Sequence, residues 1–312
     1  MKVLVAGATG GLGRSLVPKL IAAGHEVTGM IRSESSAAGL RAQGAWVVIA
    51  DGLDAGAVKA AVATAAPEVV VHQMTALKNG IDFKRFDQSF ALTNRLRTEG
   101  TDTLLAASLA AGVRRIVVQG YAGWNLERGG SATKSEQVPP DPHPVPASRT
   151  TMEALRHLES KVTGAQGIEG VVLRYASFYG PTGGIGKGGE FVDLILQRKL
   201  PLIGDGSGIW SFIHYDDAAE ATLKAIESTA TGIYQIADDD PAPAAVWLPE
   251  LAKILGAKPP RHVPAWLAKL AVGELGVSAF TKIRGASNAL AKHTFDWEPG
   301  YDSWREGFRR GL

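Results

Sequence analysis

The chain contains no cysteine, which excludes disulfides, thiolate metal sites and a cysteine nucleophile. It also lacks an excess of either charge: 33 Lys+Arg stand against 31 Asp+Glu, a net charge of +2. No basic field points to nucleic acid, and no Lys/Arg block points to an anionic membrane surface. Long apolar runs are missing too. The most apolar late stretch, VPAWLAKLAVGELGV, is interrupted by Lys269 and Glu274 and is too short to span a bilayer. The start, MKVLVAGATGG, has neither the basic region nor the long apolar core of a signal peptide. His25, His72, His157, His262 and His293 show no metal-ligand spacing, so no metal is expected. These absences predict a soluble, cytoplasmic protein whose partner is a small molecule.

What is present is a regular alternation. Strand-like runs KVLVAG, EVTGMI, AWVVIA, EVVVHQ, RIVVQG and GVVLRYA are separated by helical patterns such as GRSLVPKLIAAG and TEGTDTLLAASLAAG. Apolar strands alternating with helices predict an α/β fold, a doubly wound parallel sheet covered on both faces. A later run, GIYQIAD, predicts one more strand. Beyond Gly180 the pattern loosens into Gly/Pro-rich loops and Trp-bearing helices. The division expected is a Rossmann-type nucleotide-binding domain over 1–180, with about 205–237 returning to it. Residues 181–312 then form a smaller, mostly helical, interleaved substrate lobe. Trp247 and Trp266 are expected to pack inside that lobe.

GATGGLG, Gly7 to Gly13, lies between the first strand and the first helix. In that context the glycines allow a tight turn and close helix–strand packing, and the helix N-terminus offers free N–H groups to a pyrophosphate. Gly7, Thr9, Gly10, Gly11, Leu12 and Gly13 are therefore the expected cradle. An NAD binder places a carboxylate at the end of the second strand. Here GMIRS offers Arg32 and Ser33 instead, which suits a 2′-phosphate and favours NADP(H) over NAD(H). Asp51 and Gly52, ending the third strand, are placed at the adenine edge.

Two later stretches carry a resemblance. LRYASFYGP (Leu173 to Pro181) and GDGSGIWSFIHYDDAAEA (Gly204 to Ala221), with the glycine turn, are similar to motifs of the extended short-chain dehydrogenase/reductase family, its NAD(P)-dependent epimerase/dehydratase group. The resemblance implies a Ser/Thr after the fifth strand and a Tyr-x-x-x-Lys on the next helix. The chain departs from both, which makes it an atypical member. VVQGYAGW puts Gln119 and Gly120 where the serines stand, and PVPASRTTME puts Val145 for the tyrosine and Arg149 for the lysine. Arg149, four residues on, is expected on the same helix face, holding the nicotinamide ribose. Tyr175 is counted with the cofactor site. Tyr121 and His143 are the candidate replacements for the missing acid. Gln119, Trp124, Val145, Ser177, Tyr179 and Trp210 are the expected pocket lining, and His214 is expected to hold structure. Trp210 stands where relatives place an arginine, which points away from nucleotide sugars towards an aromatic or apolar compound. The resemblance also carries the expectation of a homodimer.

Three readings stay open at this point. The first is an NADP(H)-dependent oxidoreductase of a hydrophobic small molecule with non-standard catalytic residues. The second is an NADP-bound isomerase, lyase or cyclase, and the third a non-catalytic NADP(H) sensor.

Overall fold

The computed structural model describes residues 1–77 and 81–312. Seven strands form one sheet: β1 (Lys2–Ala6), β2 (Glu26–Ile31), β3 (Trp46–Ile49), β4 (Val69–His72), β5 (Arg115–Tyr121), β6 (Glu169–Tyr175) and β7 (Gly232–Ile236). Their order is β7-β6-β5-β4-β1-β2-β3, and every pairing is parallel. The order reverses between β1 and β4, and that is where open α/β sheets bind ligands, outside the carboxyl ends of the strands.

The alternation along each strand packs both faces of the sheet into its core. Val3, Val5, Val69, Val71, Val117 and Val171 face helices α1 (Gly11–Ala22) and α5 (Tyr215–Glu227). Leu4, Val70, Ile116, Val118 and Val172 face α2 (Ala55–Ala65), α3 (Thr101–Ala110) and α4 (Arg149–Thr163). With both faces covered, most positions of the central strands are apolar, which is why the runs read as nearly continuous β-branched stretches.

A second core belongs to the later residues. Trp210, Phe212, Trp247, Phe280, Trp304 and Phe308 form one aromatic cluster. Trp247 is fully buried as expected, but Trp266 is 71% exposed. It lies in the first turn of the helix Ala265–Thr281 and is not part of that cluster. The short strands Ser177–Tyr179 and Phe212–His214 pair in parallel and tie the second core to the sheet's carboxyl edge. Among the described residues no helix is long and apolar enough to cross a membrane.

Candidate active site

The glycine turn sits at the switch point. Gly7 has φ +91°, and a Cβ there would lie 2.7 Å from the Gln73 carbonyl at the end of β4. A Cβ on Gly13 would lie 2.4 Å from the Ala8 carbonyl, so α1 docks on the turn only because that side chain is missing. Gly10 ends the turn with its N–H bonded to the Gly7 carbonyl at 3.0 Å, and no side chain caps α1. The first N–H groups of a twelve-residue helix thus face the crevice without an internal acceptor. The cradle and the uncapped helix end fit a dinucleotide pyrophosphate.

At the end of β2, Arg32 and Ser33 are both exposed. The nearest carboxylate, Glu34, is tied to Arg41, and Arg32 makes no ion pair among the described residues. Arg14 folds back over the turn, its Nε donating to the Thr9 carbonyl at 3.1 Å. Asp51 is exposed and caps the Leu53 N–H at 3.0 Å. Gly52 lies under Met74, whose sulfur would be 2.4 Å from an added Cβ.

Val145 occupies an apolar position, 5% exposed, packed with Phe86, Phe90 and Leu275 and against Trp124. It is extended (φ −56°, ψ 137°) and precedes a 3₁₀ turn at Pro146–Ser148. Only Arg149 begins α4. The expected sharing of one helix face by Val145 and Arg149 is therefore corrected: Val145 is not on the helix and points inward, while Arg149 is exposed.

Tyr121 ends β5 and brings a hydroxyl from the sheet towards this apolar wall. Its ring stacks on Trp124 at 6.1 Å, and Trp124 meets Phe86 edge-on at 5.0 Å. Register between β5 and β6 sets Tyr121 opposite Tyr175, so Ser177, two residues on, reaches the phenol at 3.5 Å. Burial raises the Tyr121 pKa above its ordinary value, against the smaller opposing effects of Ser177 and Arg97. The phenol is thus a hydrogen-bond donor that keeps its proton. Gln119, two residues earlier on β5, is half-buried.

Four expectations fail on packing. Tyr175 is fully buried, its hydroxyl donating to Thr222 at 2.7 Å while Thr222 donates to Ala218, so it belongs to the sheet core rather than to the cofactor. Tyr179 is fully buried against His214 and Phe308, in the space left by Gly307, and does not line the pocket. Trp210 lies in the aromatic core with its indole N–H given to the Ala279 carbonyl at 2.8 Å. It offers nothing to a substrate, so the argument against nucleotide sugars loses that support. His143 is exposed, on an open depression lined by Glu127, Arg128, Asp141, Glu274 and Lys282. That surface is separate from the wall of Tyr121 and Trp124. His214 caps α5, accepting the Asp216 N–H at 3.1 Å, as expected of a structural residue.

Sequence reasoning missed four contributors. Phe86 and Phe90, stacked at 4.4 Å, complete the aromatic wall. Tyr215 lies over the glycine turn, its ring 2.8 Å from a Cβ placed on Gly11. Arg97 is buried beside Phe90, with the ring centroid 5.6 Å from the guanidinium carbon. Only spacing to the Tyr121 end of β5, which the fold supplies, links these residues.

Comparison with known proteins agrees with the cradle. The model of the NAD dependent epimerase/dehydratase family matches residues 3–237. The chain belongs to this family. A Streptomyces protein, 3-diazoavenalumate denitrifying reductase, is 44% identical over 312 residues, covering 99% of this chain and 100% of its own. UDP-glucose 4-epimerase of Thermotoga maritima, solved with UDP-glucose, aligns with a TM-score of 0.77 at 23% identity, covering 99% of this chain and 96% of its own. The UDP-glucose 4-epimerase of Thermus thermophilus, solved with NAD, gives 0.72 at 23%, covering 99% and 97%. Both structural likenesses speak for the fold alone. As a member of this family, the chain is an NAD(P)-dependent enzyme of the reductase and epimerase type.

Proposed function

We propose that the chain is an NADP(H)-dependent reductase of aromatic diazo compounds, acting on an electrophile that needs no proton from the protein. The observation that carries this reading is the replacement of a proton donor by Val145, sealed into an apolar wall. A carbonyl reductase must protonate a developing alkoxide, and a positioned acid is worth about 10²–10⁴ in rate. When bound, the reduced nicotinamide supplies a hydride, and for a diazonium the balance closes without an external proton: ArN₂⁺ plus H⁻ gives ArH plus N₂. The name of the Streptomyces relative specifies reduction of a diazo compound with loss of nitrogen, which supports the same class here.

The residues then have simple tasks. Gly7 to Gly13 and the N-terminus of α1 hold the pyrophosphate. Arg32, Ser33 and Arg14 meet the 2′-phosphate, with Asp51 and Gly52 at the adenine edge. Trp124, partly exposed, takes the aromatic ring, and the buried Phe86, Phe90 and Val145 behind it exclude water. Tyr121 and Ser177 orient a polar substituent by hydrogen bonding. An aromatic wall of this kind favours a flat ring over a nucleotide sugar. Arg149, at the exposed start of α4, is left as a secondary cofactor contact.

The test is incubation of the protein with NADPH and either a diazo-substituted benzoate or UDP-glucose. Oxidation of NADPH with equimolar release of N₂ from the benzoate supports the reading. Epimerisation of UDP-glucose without diazo turnover would overturn it.

A further inference from the structure

A buried charge stands behind Tyr121 that none of these tasks uses. Arg97 is 6% exposed and sits on a π-helical turn, Leu96–Gly100, a form often found at functional sites. Among the described residues its guanidinium makes no hydrogen bond or ion pair, and Nη1 is closed off from solvent without an acceptor. The titratable groups within electrostatic reach are the Tyr121 phenol, Glu159 and His72. Glu159 is already committed, both of its oxygens accepting 2.6 Å bonds from Arg174. His72 is neutral, donating Nε2–H to the Leu96 carbonyl at 3.2 Å and accepting the Met74 N–H at Nδ1. One positive charge is left over in a largely buried corner, within electrostatic reach of the Tyr121 phenol. An isolated buried cation is destabilising unless something pairs with it.

We propose that Arg97 makes this pocket select an aromatic anion, with the substrate's carboxylate or phenolate held at the Tyr121 and Ser177 hydroxyls and the Arg97 charge behind them. The inference rests on the reading of Tyr121 and Ser177 as substrate-facing, but not on the diazo chemistry. Arg97 acts through Tyr121 and is a positioning residue. A substrate anion completes the charge balance that Glu159 cannot, and the aromatic wall supplies the contact for its ring. Neutral aromatics of the same shape receive only the second of these.

Calorimetric titration of the NADPH-loaded protein with 4-hydroxybenzoate and with its methyl ester tests this without any turnover. The wild type is expected to bind the acid roughly ten- to a hundredfold more tightly, the usual advantage of a charge-assisted hydrogen bond. Arg97→Met should bring the two ligands to within about threefold, and Arg97→Lys should recover most of the preference. NADPH affinity should stay unchanged in both variants, which separates the effect from a damaged fold. Equal binding of acid and ester by the wild type would overturn the proposal, whatever the variants do. So would a preference that survives in folded Arg97→Met. Anion selectivity without diazo turnover would leave Arg97 standing and remove the proposed function instead.

Discussion

The two halves of the cleft differ in what their sequence can tolerate. In the cofactor half, function is carried by backbone: Gly7 and Gly13 leave room for carbonyls 2.7 and 2.4 Å away, and a helix end is left uncapped. In the substrate half, the proposed function rests on side chains, and these depart from the motif the chain otherwise resembles. A valine stands for an acid, a tyrosine ends β5, and a guanidinium is turned inward by a π-helical turn. Backbone geometry cannot drift without losing the fold, whereas side chains can be replaced one at a time. The family match accordingly runs through both halves, over residues 3–237, despite the exchanged side chains.

The comparison can be broken at several points. The largest effect is expected from Trp210→Ala, which removes a core indole and should cost about 4 kcal/mol of unfolding free energy. Trp124→Ala, at the wall, should instead raise KM with a smaller loss of stability. Denaturant unfolding and steady-state kinetics on both variants would show whether the two tryptophans belong to different regions. Next is Gly13→Val, where the new side chain meets the Ala8 carbonyl; a loss of about 3 kcal/mol and of measurable NADPH binding is expected. Retained cofactor affinity would break the idea that the cradle depends on that approach.

Arg32→Ala should weaken NADPH binding about tenfold and leave NADH binding unchanged, as loss of one charge-assisted contact implies. Equal affinity of the wild type for both nucleotides would already contradict the role of Arg32. A smaller and local effect concerns His72, whose pKa burial lowers from 6.5 to about 4. The unfolded chain takes up the proton first, so this group withdraws stability as pH falls from 6.5 towards 4. Nuclear magnetic resonance should find its ring neutral with Nε2 protonated at pH 6; a charged ring there would show that the corner behind Tyr121 is wet.

How much of this was legible follows the same division. All seven strands and the glycine turn could be read from periodicity and spacing, because a doubly covered parallel sheet forces continuous apolar runs. The site was legible only where register alone decides it. The approach of Ser177 to Tyr121 follows from strand neighbours alone, and Val145 matches the acid's position by motif order. Trp210, Tyr179 and Tyr175 lay on the right motifs, yet their burial depends on partners far along the chain, such as Ala279, Gly307 and Thr222. Arg97 was hidden for the opposite reason. In LRTEGT it reads as a solvated helix arginine, whereas it lies buried on a π-helical turn.

In the proposed chemistry, proton transfer has been removed from this cleft rather than moved to Tyr121. The most direct measurement is single-turnover oxidation of bound NADPH by a diazo-substituted benzoate, with wild type and Tyr121→Phe side by side. The account predicts weaker substrate binding in the variant but a rate at saturation within about threefold of wild type. A fall of about 10²-fold or more at saturation would contradict it, because it would identify the Tyr121 phenol as the acid that Val145 no longer supplies.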